Sequence, residues 1–233
     1  MTVKNIAKEY DCLRKEVEDC KQKIVAYAAT DSKVKALYKG CQILFSPLIH
    51  QPKVLLIGLN PGAGFFNENN AEPVDKLEPQ PVLEYTLKDE YGDYYHNYAL
   101  AKETRYIFEK AGKLDYLDEA VKTNFLYFST TNQTDCWALL WSLQEGLGIN
   151  LDHLANEWTT RLITMVEPQL IVCEGAEAFM RVNNLLSTNK VEPVWIEDSY
   201  AERVINDVQL IGYKRRYSNI LNKDGLASFL SQI

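Results

Sequence analysis

The sequence has no apolar run long enough to cross a bilayer. The longest, Val54–Leu59, is the length of a strand, against the ~20 residues a spanning helix needs. A signal-peptide core is missing too: MTVKNIAKEYDCLRKEVEDC alternates charge with apolar residues, so a cytoplasmic location with no membrane association is expected. Cysteine is sparse. Cys12, Cys20, Cys41, Cys136 and Cys173 make an odd count with no CxxC pair, which argues against a disulfide scaffold and against a cysteine metal cage. His50, His96 and His153 are scattered, so no zinc spacing exists either, and neither metal nor cofactor is expected.

Positive charge is also in deficit. The formal net charge is −7, which speaks against a generic nucleic-acid binder. The charge is uneven, however. Asn67–Asp93 carries Glu68, Glu72, Asp75, Glu78, Glu84, Asp89, Glu90 and Asp93 against only Lys76 and Lys88. Lys214-Arg215-Arg216 forms a compact basic cluster near the other end, either a local anion site or a solvated strand end.

What is present suits a globular core. The 233 residues are 46% hydrophobic and 11% aromatic, enough apolar surface to exclude disorder as the main theme. Ile6, Tyr10, Leu13, Val17 and Ile24 recur at helical spacing, predicting a helix over residues 2 to about 28. A short helix is predicted over Ser32–Tyr38 and others over Ala99–Gly112, Leu151–Met165 and Glu177–Leu186, with a closing helix from about Asp224. Continuous apolar stretches at Lys53–Gly58, Asn124–Phe128, Gln169–Cys173 and Val208–Tyr213 predict four buried strands. Alternating strands and helices imply an α/β fold: a three-layer α/β/α sandwich around a mostly parallel four-stranded central sheet. The expected organisation is a single domain, with residues 1–45 as a helical extension and 46–233 as the core. The acidic, proline- and tyrosine-rich stretch from Asn67 to Asn97 reads as a long loop or lid.

Ligands of such sheets bind beyond the carboxyl ends of the strands. Gly58-Leu59-Asn60-Pro61-Gly62-Ala63-Gly64 follows the first strand but lacks the lysine of a phosphate loop and is not GxGxxG. By itself Asn-Pro-Gly is a good turn. With the strand Val54–Gly58 feeding into it, the segment resembles the first motif of the uracil-DNA glycosylase superfamily, in the GxNPG form of its mismatch-specific uracil and thymine glycosylases. Three further stretches follow in the family's order: Thr123-Asn124, then Pro168 through Ile171-Val172 and Gly175 to Ala178, then Arg216-Tyr217-Ser218-Asn219-Ile220. The resemblance runs from about residue 50 to the end.

The resemblance implies removal of uracil or a related damaged pyrimidine from DNA. It assigns catalysis to Asn60 and Arg216, and contact with the extruded base to Gly62, Phe66 and Asn124. DNA binding falls to Lys214, Arg215, Ser218 and Ile220, with Ile220 as a wedge in the gap left by the base. The chain departs from the family where Arg216 replaces a histidine or asparagine and Tyr217 a proline, and no iron–sulphur cysteine pattern is present. Turn or cap roles for Asn60 and Asn124, and a core role for Phe66, stay open at the level of sequence. So do a re-purposed member that binds nucleic acid without cleaving it and a protein acting on free nucleosides or nucleotides.

Overall fold

The computed structural model describes residues 3–62, 73–88, 90–94, 99–187 and 192–233. Helices α1 (Val3–Ala28) and α2 (Ser32–Leu37) precede strands β1 (Gly40–Gln42), β2 (Val54–Gly58) and β3 (Val74–Lys76). Helix α3 (Ala99–Lys110) and strand β4 (Ala120–Asn124) come next, then helices α4 (Gln133–Leu147) and α5 (Leu151–Val166). After them come β5 (Leu170–Cys173), α6 (Ala176–Leu186), β6 (Trp195–Ile196), β7 (Tyr200–Ile205) and β8 (Val208–Tyr213). A two-stranded hairpin of β9 (Arg215–Arg216) and β10 (Asn219–Ile220) leads to α7 (Lys223–Leu230). None of the described helices is long and apolar enough to cross a membrane.

The chain divides into two compact units, each built from separated stretches. The first comprises Met1–Leu44, Leu59–Pro79 and Asn124–Met165; the second comprises Phe45–Gly58, Gln80–Thr123 and Val166–Ile233. Residues 1–44 therefore pack as part of the first unit, alongside two later stretches.

In the first unit, Ile6, Tyr10, Leu13, Val17, Cys20 and Ile24 form the buried stripe of α1, the face that helical periodicity selects. Strand β1 pairs in parallel with β3. Gly40 makes this possible: its φ is +128°, and a Cβ there would fall 2.0 Å from the Val74 carbonyl oxygen. Acids of the charged stretch are used internally. Asp75 pairs with Lys21 at 3.2 Å and accepts from the Tyr38 hydroxyl at 2.8 Å, and Glu78 pairs with Arg14 at 2.8 Å.

The second unit holds a six-stranded sheet in the order β4-β2-β5-β8-β7-β6. The pairs β2–β5 and β5–β8 are parallel, whereas β7 joins β8, and β6 joins β7, in antiparallel fashion. The fold is thus α/β with a mostly parallel central sheet, but four strands become six. Strand β7 escapes sequence reading because Glu202 and Arg203 interrupt its apolar residues. Its link to β8 is a two-residue turn in which Asn206 and Asp207 have φ of 51° and 64°, the left-handed geometry that matches strand twist. Strand β4 also lies earlier than predicted, at Ala120–Asn124, because its Lys122 is buried against a partner carboxylate rather than exposed. From β2 the chain moves to β4 on one side and then returns past β2 to β5.

Burial of acidic hydrogens sets the alkaline limit of stability. Burial raises the phenols of Tyr10, Tyr38 and Tyr213 well above their ordinary value near 10. It likewise raises the Cys20 thiol from 9.0 to about 11 and those of Cys41 and Cys173 well above 9.0. Above these ordinary values the unfolded chain loses protons that the folded chain keeps. Stability present below pH 9 is therefore expected to fall as pH rises through 9 to 11, by about 1.4 kcal/mol per pH unit for each buried phenol once pH exceeds 10. Guanidinium midpoints measured from pH 8 to 11 should decline; a flat or rising profile would contradict this.

Candidate active site

The turn after β2 is built by two segments of the first unit running side by side. The Leu126 amide donates to the Leu59 carbonyl at 2.8 Å, the Thr130 amide to the Pro61 carbonyl at 3.4 Å, and Gly62 forms a parallel bridge with Thr130. On this frame the Asn60 amide nitrogen donates to the Thr130 hydroxyl at 3.0 Å and to the Pro61 carbonyl at 3.1 Å. Thr130 in turn donates its own proton to the Asn132 carbonyl at 2.9 Å. Both neighbours of the Asn60 side chain thus act as acceptors, so the nitrogen must face them. The half-buried amide is locked, with its oxygen left as an acceptor that has no partner among the described residues.

The same frame starts α4. Asn132 Oδ1 accepts from the Asp135 amide at 2.9 Å and its Nδ2 donates to the Asp135 carboxylate at 3.0 Å, a side-chain cap on the helix. Gly148 ends the helix at φ +65°. The anchor of Asn60 is therefore fixed by a capped helix rather than by a free loop.

In the second unit, β9 and β10 pair antiparallel with Arg216 opposite Asn219 and Arg215 opposite Ile220. Arg215 Nε donates to the Glu174 carbonyl at 3.0 Å and its Nη1 donates to the Tyr217 carbonyl. Gly175, which follows Glu174, has a φ of +140° that suits glycine, and a Cβ there would make only ordinary contact with Arg215 Nε at 3.7 Å. Lys214 is engaged by Asp198 and lies 4.8 Å from the Trp195 ring centre. Arg216 is exposed, and its side chain makes no hydrogen bond or ion pair among the described residues. Ser218 is half-buried.

Next to this hairpin's anchor lies a buried ionic network. Glu174 accepts from Lys122 Nζ through one carboxylate oxygen and from the Tyr85 hydroxyl through the other, the latter at 2.8 Å. Lys122 also lies 4.6 Å from the centre of the Tyr85 ring. Burial pushes the Lys122 ammonium below its ordinary range, against the opposing pull of Glu174. Arg105 donates to the Tyr85 carbonyl at 2.8 Å and lies 4.7 Å from the Tyr94 ring centre.

Of the residues expected from sequence, Asn60 and Gly62 share one turn, and Asn124 ends β4 in the same unit, 6% exposed and with interactions of its own. Phe66, with Phe65, Tyr95 and His96, lies outside the described residues. Lys214, Arg215, Arg216, Ser218 and Ile220 belong to the second unit. Ile220 needs correction as a DNA wedge. It is 3% exposed in the apolar core with Leu226 and Leu230, because alternation along the hairpin strand turns it inward while Asn219 points out. Sequence reading missed Thr130, Lys122, Glu174 and Tyr85. The signal available was a carboxylate directly after a continuous apolar strand, at Cys173-Glu174. Among the described residues no group of His, Cys, Asp or Glu could hold a metal ion. No protein-family model matches the chain, and no curated protein matches it.

Proposed function

We propose that this protein hydrolyses the N-glycosidic bond of uracil, or of a related damaged pyrimidine, in DNA. The observation carrying the reading is the Asn60 amide, held through its nitrogen, whose oxygen has no partner among the described residues, after a buried parallel strand. Bond cleavage leaves the C1′–N electron pair on the departing base and positive charge on the sugar. Asn60 Oδ1 accepts a hydrogen bond from water and holds it for attack at C1′; the amide cannot take the proton, which passes to the departing base anion or to bulk water, so turnover is slow. The resemblance gives the pyrimidine edge to Asn124 and further base contacts to Gly62 and to Phe66, the last lying outside the described residues. In the second unit, Arg216 takes a phosphate through a charged hydrogen bond, and Lys214, Arg215 and Ser218 hold the DNA backbone beside it. The same reading takes the helices as covering both faces of the sheet in a three-layer α/β/α sandwich.

The test uses purified full-length protein at low salt with uracil in single-stranded, U·A and U·G oligonucleotides and with a T·G mismatch. Alkali-labile abasic sites are the expected product. Absence of cleavage on every substrate overturns the assignment; tight binding without cleavage identifies a re-purposed DNA binder instead, and base release from free nucleosides alone identifies a nucleosidase.

A further inference from the structure

The hairpin that carries the basic cluster ends in Tyr217, which is 95% exposed at a backbone φ of +55°. A bulky aromatic residue rarely occupies the left-handed region, and such strain persists only where the surrounding structure holds it. Here the holding groups are visible. Arg215 grips the Tyr217 carbonyl through Nη1 and the Glu174 carbonyl through Nε. The Leu221 amide closes the base of the hairpin on the Lys214 carbonyl at 3.0 Å, and Ile220 roots it in the core. A held stem thus presents a bare aromatic ring, and next to it in the chain is the Arg216 guanidinium, which has no partner among the described residues.

We infer that Tyr217 is a stacking platform for an unpaired base of DNA, with Arg216 taking the neighbouring phosphate. The inference rests on the DNA-directed reading above and reassigns the contact expected of Ile220. A base offers a flat apolar face and a phosphate offers charge; an exposed ring on a held backbone, directly after an arginine in the chain whose side chain has no partner among the described residues, complements both. Pre-ordering of the tip by Arg215 lowers the entropy lost on binding. Duplex DNA hides its base faces, so the preferred partner is single-stranded or locally unpaired DNA.

The experiment measures binding to a single-stranded oligonucleotide carrying 2-aminopurine, whose fluorescence is quenched by stacking, with uracil excision assayed on the same preparations. Tyr217→Asn removes the ring but tolerates the left-handed backbone, and Tyr217→Phe keeps the ring. The asparagine variant is expected to bind on the order of 10-fold more weakly and to lose quenching, while the phenylalanine variant retains both. Arg216→Ala is expected to reduce the salt dependence of binding by about one phosphate contact. Unchanged affinity and quenching in Tyr217→Asn, with excision intact, overturns the stacking role and leaves the glycosylase reading standing. A wild-type protein that neither binds nor excises overturns both.

Discussion

Asn60→Ala is expected to lower the rate of uracil release by roughly 10²-fold or more, the scale set by losing orientation of a reacting group. The side chain makes two hydrogen bonds, both through nitrogen, to Thr130 and Pro61. It serves the turn with one end and leaves the other for water. The anchor gives an independent check. Thr130→Val keeps the shape but removes one of the two acceptors, leaving the amide held by the Pro61 carbonyl alone, and should lower kcat about 10-fold with little change in KM. Thr130→Ser restores the hydroxyl and should rescue the rate. Asn60→Asp separates orientation from basicity. A carboxylate cannot donate to the Pro61 carbonyl, so the anchor is lost even as a potential base is gained, and activity should acquire a dependence on carboxylate ionisation. Wild-type rates in both Asn60→Ala and Thr130→Val would remove Asn60 from the mechanism.

The parts of this architecture legible in the sequence are those whose stabilising contacts are repeated locally. The stripe of α1 and the continuous apolar runs of β2 and β5 are visible because each residue repeats the message of its neighbours. Strand β4 is displaced in the sequence reading because Lys122 argues against burial until it meets Glu174, 52 residues away. Helix α4 is hidden for the opposite reason: Trp137, Leu139, Leu140, Trp141 and Leu143 spread apolar surface around the helix rather than along one stripe. Its cap at Asn132 and its stop at Gly148 were the usable signals. The candidate site divides in the same way. Asn60 stands out because a buried strand delivers it to a turn, whereas Thr130, which orients it, is 70 residues on and resembles any loop threonine. Ile220 is buried because alternation along β10 turns it inward, while Tyr217 is exposed at the tip between the strands, and neither placement is readable from polarity.

The buried ion pair carries the largest expected stability effect. Lys122→Met is expected to destabilise the protein by about 3–5 kcal/mol, the scale for removing one partner of a buried pair. Lys122 and Glu174 are 5% and 3% exposed, so water cannot replace the lost partner, and among the described residues the Tyr85 hydroxyl is the donor that remains to the carboxylate. The carboxyl group must then stay charged without its cation or take up a proton, and either outcome disfavours the folded state at neutral pH. Lys122→Met combined with Glu174→Gln removes both charges while keeping an acceptor for Tyr85, and should recover most of the loss. A double-mutant cycle from denaturant midpoints isolates the coupling; a single-variant cost below about 1 kcal/mol would show that water reaches the pair. The consequence extends beyond stability. Because the Glu174 carbonyl holds Arg215, and Arg215 holds the Tyr217 carbonyl, an uncompensated charge at Glu174 should loosen the hairpin tip. Lys122→Met is therefore expected to weaken single-stranded DNA binding more than the double variant does, although Lys122 is itself too deeply buried to touch the DNA.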